Sequence, residues 1–207
     1  MQEEDMKIIF LTLILVIFLT GCAPASDSPK PVTPTPDIMP RLDPSPTPSD
    51  STLPLTCQVT DLKVYVNKAD GYCCAYPSRF TEGTQPRLDL PAIVGPTIGD
   101  GVDPVFASFA VQFTPATDES LRAQAEAFLK EFSAADPASF TWTQVPVGNE
   151  AGWMAEPVPV MLSWRIVFVQ HNGNLFRLMY WPVDIPEAQA DLDELTQTTL
   201  GSFAFTK

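Results

Sequence analysis

Residues 162–181, LSWRIVFVQHNGNLFRLMYW, form the most informative segment of this chain. Two largely apolar runs flank Asn172-Gly173, the pair preferred in a two-residue hairpin turn because both turn positions need a positive φ. The turn fixes which residues face each other across the hairpin. The facing pairs are Trp164–Trp181, Ile166–Met179 and Phe168–Arg177 on one side, and Arg165–Tyr180, Val167–Leu178 and Val169–Phe176 on the other. Both sides are mostly apolar, so we expect the sheet to be covered on both faces.

Two amphipathic segments can provide these covers. Residues 118–132 carry apolar side chains at helical spacing, and residues 184–200 carry a second apolar stripe. Asp184 followed by Glu187 is typical of a helix start, and Gly201 is typical of a helix end. The residues after Gly201 are expected to pack back onto the domain.

Strands are also predicted at residues 62–66, 72–76, 105–113, 141–147 and 152–156 from their β-forming composition and turn signals. Residues 77–104 are rich in Pro, Gly and Asp and are predicted to form an irregular loop. The sequence therefore indicates an α+β fold, with an antiparallel sheet of about six or seven strands between helices in an α/β/α sandwich. A two-layer arrangement with both helices on one face is the alternative.

The N-terminal region contains an apolar run at residues 8–19 that ends in Leu19-Thr20-Gly21-Cys22. This arrangement resembles the signal peptide of bacterial lipoproteins, and the last four residues match a lipobox. The run is short for a membrane-spanning helix, which needs about 20 residues. We expect residues 1–21 to be a signal peptide beginning at Met1 or Met6, and Cys22 to carry a two-chain lipid anchor. An uncleaved N-terminal anchor is the alternative.

The rest of the chain divides into a spacer and a domain. Residues 22–55 are dominated by Pro, Ser and Thr and contain no aromatic residue, so we expect a disordered stalk. Residues 56–207 are long enough for one domain. The formal net charge of −13 disfavours nucleic acid and anionic lipid surfaces as partners and tolerates cationic ones.

Three cysteines remain after Cys22. A disulfide from Cys57 to Cys73 or to Cys74 is plausible outside the cytoplasm, with the third thiol in the core. The alternative is that all three are free. A metal site is disfavoured, because the adjacent cysteines lack the usual spacing of zinc ligands and the chain has one histidine.

The sequence contains none of the common catalytic motifs. The histidine, His171, is expected to be an exposed turn residue and not a base. Residues 99–103 offer two carboxylates to Ca²⁺ but are more simply a turn. The acids Glu187, Asp191 and Glu194 share one face of the second helix, which we expect to be solvated.

The tryptophans form the remaining candidate site. All four, Trp142, Trp153, Trp164 and Trp181, lie in the strand-rich half of the domain. Core packing is the simplest interpretation. The alternative is a candidate ligand face made by Trp164, Trp181 and Arg177, with Arg165 on the opposite side, that could bind a ring-shaped ligand or a partner protein.

The domain carries three short motifs: Gly-Tyr-x-x-x-Tyr-Pro-Ser-x-Phe at 71–80, Tyr180-Trp181-Pro182, and Gly-Ser-Phe-x-Phe at 201–205. Through these motifs residues 60–207 resemble the PsbP/Mog1-like domains, which include bacterial lipoproteins. The resemblance implies the α/β/α sandwich, and it implies no catalytic residue or cofactor.

The sequence thus predicts a membrane-anchored extracytoplasmic lipoprotein of the cell envelope, without cofactor or enzymatic activity. Its domain would be a binding or assembly module for an unidentified protein or small molecule. An envelope carrier or sensor of a small molecule or glycan is the alternative, and a hydrolase that uses His171 is a third interpretation.

Overall fold

The computed structural model describes residues 53–85, 89–99 and 104–207. The predicted signal peptide, the predicted lipidation site Cys22 and most of the predicted stalk lie outside these residues. Within the described ranges no helix is both long and apolar enough to cross a membrane. The helices there are α1 (Leu121–Ser133) and α2 (Gln189–Ser202). The strands are β1 (Leu62–Asn67), β2 (Tyr72–Pro77), β3 (Thr81–Gln85), β4 (Leu90–Val94), β5 (Ser108–Pro115), β6 (Thr141–Val147), β7 (Glu150–Pro159), β8 (Ser163–His171), β9 (Asn174–Trp181) and β10 (Ala204–Phe205).

Seven strands form the main antiparallel sheet, in the order β3-β4-β5-β9-β8-β7-β6. Its centre is the β8–β9 hairpin, and the predicted register is confirmed from Arg165–Tyr180 to Val169–Phe176. Asn172 and Gly173 form the turn with φ of 46° and 74°, the left-handed region that Asn and Gly adopt at low cost.

Both faces of the main sheet are buried at its centre, as the apolar hairpin predicts. Helix α1 covers one face, where Ala125 and Leu129 pack against a cluster that includes Ile166, Phe168 and Met179. Helix α2 covers the other face, where its Leu192 and Leu195 lie in a cluster with Val167, Leu178 and Tyr180 of the hairpin, among others. The predicted α+β fold with an antiparallel sheet between helices is therefore confirmed.

A second sheet lies beside α2 and was not predicted as a separate unit. It contains β1, β2 and β10 in the order β1-β2-β10. The strands that we expected at 62–66 and 72–76 therefore belong to this small sheet and not to the main one. The residues after α2 do pack back, because β10 pairs with β2.

The prediction of an irregular loop over residues 77–104 is wrong for part of that range. Strands β3 and β4 form a hairpin that extends the main sheet beyond β5. Four of the five β3 residues are exposed, so the strand has no apolar alternation that a sequence pattern could reveal.

The predicted start and end of the second helix are also corrected. Asp184 does not cap α2, because its Oδ1 accepts a hydrogen bond from the backbone N–H of Ser163 at 3.1 Å. A short 3₁₀ turn, Pro186–Ala188, comes first and the α-helix begins at Gln189. Gly201 lies inside the last turn, since the helix continues to Ser202.

Candidate functional site

The predicted aromatic ligand face is packed inside the domain. The rings of Trp164 and Trp181 stack with centroids 4.7 Å apart, and each residue is only 6% exposed. Phe132 of α1 meets Trp164 edge-on, at a centroid distance of 5.4 Å. These tryptophans therefore fill the layer between the sheet and α1 and do not line an open cleft.

Arg177, the charged member of that face, is also buried and is 5% exposed. Its guanidinium carbon lies 4.5 Å from the centroid of the Phe128 ring. Within the described part of the chain its buried Nε has no hydrogen-bond partner. Burial lowers the pKa of Arg177 from its usual value. The residue is a buried cation that contacts an aromatic ring and lacks a counter-ion among the described residues.

His171 is more enclosed than the exposed turn residue that we expected. Its Nδ1 lies 3.1 Å from Oε1 of Glu150, and its Nε2 lies 3.1 Å from the backbone O of Lys207. The ring stacks on Phe205 with centroids 3.9 Å apart. Among the described residues no hydroxyl or thiol bonds to this imidazole, so no nucleophile is placed beside it. Its contacts with Phe205 and Lys207 hold the segment after α2 against the hairpin.

The cysteines adopt one of the two disulfide pairings that the sequence left open. Cys57 and Cys73 form a disulfide that ties the segment before β1 to β2. Cys74 is a free and buried thiol. Burial, with a smaller contribution from the charge of Glu82, raises its pKa to about 12, so the thiolate is disfavoured.

The remaining candidates do not assemble into a site. No group of three or more His, Cys, Asp or Glu side chains in the described residues is placed to hold a metal ion. The turn at 99–103 lies outside the described residues except for Gly99. On α2, Asp191 and Glu194 both pair with Arg79, which makes that helix face an ion-pair surface and not merely a solvated one.

An open cleft of about 440 Å³ lies where the beginning of β6, the β7–β8 hairpin and the start of α2 meet. We call it the β7–α2 cleft. Its lining residues are Thr141, Glu156, Pro157, Ser163, Arg165, Val183, Asp184 and Gln189. A cleft of this size is in the range of ordinary small-molecule sites. It combines carboxylates, hydroxyls, an amide and one guanidinium with two apolar side chains.

Arg165 organises one wall of the β7–α2 cleft. Its Nε donates to Oε2 of Glu156 at 2.6 Å, and its Nη1 donates to Oδ1 of Asp193 at 3.0 Å and to Oγ1 of Thr196 at 3.1 Å. Its side chain is only 11% exposed. Burial alone would lower the pKa of Arg165, but its bonds and charge interactions with Glu156 and Asp193 outweigh burial and raise it. Arg165 is therefore a fixed positive charge that is neutralised by two carboxylates.

Another wall of the cleft is formed by the segment that leads into α2 and by the first residue of that helix. The hydrogen bond from Ser163 to Asp184 joins the beginning of β8 to the segment that precedes α2. Gln189 donates from Nε2 to Oδ1 of Asp193 at 3.0 Å, which fixes its amide beside the Arg165 network. The backbone N–H of Val183 donates to the carbonyl of Ser163 at 2.8 Å. The cleft thus lies between strands and a helix, and these hydrogen bonds hold its edge in place.

Sequence reasoning missed this cleft because its residues are far apart in the chain. The one available signal was Arg165, a charged residue on a hairpin side that is otherwise apolar. The pattern could not show that Glu156 and Asp193 supply carboxylate partners to Arg165.

The chain was also compared with known proteins. No protein-family model matches the chain, and no curated protein matches it. The solution structure of cyanobacterial PsbP (CyanoP) from Synechocystis sp. PCC 6803 is similar with a TM-score of 0.44 and 13% identity, over 78% of this chain and 99% of that chain. At that TM-score and identity, membership of the PsbP/Mog1-like family stays a prediction.

Proposed function

We propose that this protein is a lipid-anchored extracytoplasmic lipoprotein whose domain is a non-enzymatic binding module that uses the β7–α2 cleft. The observation that carries the proposal is the cleft itself, which is open, combines polar with apolar surface, and is stabilised at its edge by hydrogen bonds. The aromatic face is a weaker candidate because Trp164 and Trp181 are buried. A hydrolase that uses His171 gains no support from its contacts with Glu150 and Lys207.

The proposed location outside the cytoplasm draws on two independent features. The lipobox at 19–22 marks Cys22 for lipidation. The Cys57–Cys73 disulfide in the domain is typical of proteins that fold in an oxidising compartment. The two features agree, because a domain that follows a lipidated cysteine would be exported before it folds.

Fractionation of cells that produce the full chain tests the anchor. Cys22→Ser should move the protein from the membrane and detergent phase to the soluble or uncleaved fraction. Cys74→Ser removes a thiol of the buried core and should leave the partition unchanged, which controls for loss of a cysteine as such. Unchanged detergent-phase partition of Cys22→Ser would contradict the lipid anchor.

A blocked cleft tests the binding role. Ser163→Trp places a large side chain in the β7–α2 cleft, whereas Thr114→Trp adds the same side chain at an exposed position of β5, outside the cleft. Any partner or ligand recovered with the wild-type protein should be lost from the first variant and kept by the second. Equal retention by both variants would contradict the assignment of the cleft.

A further inference from the structure

We propose that the β7–α2 cleft binds an organic cation, an ammonium or guanidinium group carried by a small molecule or by a peptide side chain. The proposal rests on the proposed binding function and names the ligand chemistry. It begins with the charges around the cleft. The lining contains the carboxylates of Glu156 and Asp184 and one cation, Arg165, and Asp193 stands behind Arg165. Three carboxylates against one guanidinium leave an excess of negative charge.

The charge of Arg165 is already committed. Its Nε and Nη1 donate to Glu156, Asp193 and Thr196, so two carboxylates balance its charge, and only Nη2 makes no hydrogen bond within the described residues. Asp184 forms no ion pair with any described residue. An anionic ligand would be repelled by this lining, whereas a cation would supply the missing positive charge.

The unused hydrogen-bonding atoms are mostly acceptors. Glu156 bonds through Oε2 and Asp184 through Oδ1, so the second oxygen of each carboxylate makes no hydrogen bond within the described residues. The hydroxyls of Thr141 and Ser163 also line the cleft. An ammonium group offers three N–H donors and a guanidinium offers five, with no acceptor, which matches such a lining.

The size and walls of the cleft favour an organic cation over a metal ion. Calcium takes about six to eight oxygen ligands, and no group of three metal-ligating side chains is present in the described residues. The volume of about 440 Å³ and the apolar side chains of Pro157 and Val183 suit a cation with a hydrocarbon body. The turn before Ser163 exposes further apolar side chains, with Met161 at 72% and Leu162 at 39%.

Calorimetric titration of the full-length protein in a neutral detergent tests the inference. The probes are agmatine, which represents a free organic cation, and N-acetyl-arginine amide, which represents a peptide side chain. N-acetyl-citrulline amide is the neutral analogue of the second probe. At least one cationic probe should bind while the citrulline analogue does not, and the tighter of the two cations identifies the source. Binding should protect the backbone N–H of Ser163 from hydrogen exchange.

Asp184→Asn provides the decisive variant because it keeps the Oδ1 acceptor for Ser163, removes the charge, and replaces the second carboxylate oxygen with an N–H donor. It should lower the affinity for the cationic probe about fivefold, which is the effect of losing one partly exposed ion pair. Asp118→Asn makes the same charge change at an exposed residue outside the cleft and should leave the affinity unchanged. Equal affinity of Asp184→Asn and wild type, equal binding of the citrulline analogue, or displacement of agmatine by equimolar Ca²⁺ would each overturn the inference.

The outcome also separates this inference from the proposed function. If no cationic probe binds but the wild-type protein still retains a native ligand or partner that Ser163→Trp loses, the cation is wrong and the binding module stands. If Ser163→Trp loses nothing, the proposed function fails together with the inference.

Discussion

Replacing Arg177 with methionine should stabilise the domain, although it removes a cation that touches an aromatic ring. Arg177 is 5% exposed, and its Nε has no partner among the described residues. The effective cost of burying such an ion is several kcal/mol, and the exchange of buried ions for apolar residues of similar volume is neutral or stabilises by about 1–4 kcal/mol. The contact with Phe128 at 4.5 Å offsets this by up to about 2 kcal/mol.

Methionine recovers part of that lost contact, because its sulfur also packs favourably on aromatic rings such as Phe128 and Phe168. We therefore expect Arg177→Met to raise the free energy of unfolding by about 1 kcal/mol. For a domain of this size that corresponds to a rise of about 2–4 °C in Tm. Urea denaturation followed by tryptophan fluorescence measures the change in the full chain.

Arg122→Met is the matched control. The guanidinium of Arg122 lies 3.5 Å from the centroid of the Trp142 ring, but its side chain is 32% exposed and pairs with Glu126. Replacing Arg122 removes only a small desolvation cost, because the charge is partly exposed, and it also removes the contact with Trp142. The free energy of unfolding should therefore fall by about 0.5–1 kcal/mol. Opposite signs for the two variants support the reasoning. A loss of more than about 1 kcal/mol for Arg177→Met would refute it, because it would show that the buried cation has a stabilising partner.

Three further predictions concern the small sheet, α2 and the central hairpin. Cys57→Ala/Cys73→Ala should lower the free energy of unfolding by about 3 kcal/mol, since the disulfide closes a sequence separation of 16 residues; a shift of less than 1 kcal/mol in urea denaturation would contradict this. Arg79 holds the pKa of Glu194 below its usual value mainly through their hydrogen bond. A carboxyl group with a depressed pKa in the folded state stabilises the fold at pH values above its unfolded-state pKa. This stabilisation is lost as the pH falls through the folded-state pKa. Arg79→Ala should therefore lower the free energy of unfolding by up to about 1 kcal/mol at pH 7 and by less at pH 3. An equal cost at both pH values, measured by urea denaturation, would exclude this ion pair as the cause. Gly173→Val should destabilise the hairpin by about 1–2 kcal/mol because Gly173 has a φ of 74°, whereas Gly201→Ala in α2 should be neutral or stabilising; equal thermal stability of the two variants would contradict the turn geometry.

The parts of the fold that could be predicted are those with a local signal. The register of the β8–β9 hairpin follows from Asn172-Gly173, and the need for two covers follows from its two apolar sides. Helix α1 was predicted within a few residues from its apolar stripe, although the start was placed at residue 118 and the helix begins at Leu121, after its cap Ser120.

The parts that could not be predicted depend on contacts between distant residues. Strand β3 is polar and exposed, so only its pairing with β4 defines it. Asp184 has the sequence context of a helix cap, but its carboxylate accepts a hydrogen bond from Ser163, which lies 21 residues earlier. One wall of the cleft depends on ion pairs of Arg165 in β8 with Glu156 in β7 and Asp193 in α2. No local sequence pattern indicates that these three residues are in contact.

Native mass spectrometry of the full-length protein, purified from its own cell envelope, tests the lipid anchor, the disulfide and the binding role together. We expect a chain that begins at a lipidated Cys22, is two hydrogens lighter than the reduced form, and carries a noncovalent ligand or partner that leaves on denaturation. We also expect Ser163→Trp to abolish the bound species and Thr114→Trp to retain it. A wild-type protein of bare mass, or a bound species that Ser163→Trp keeps, would contradict the binding role of the β7–α2 cleft.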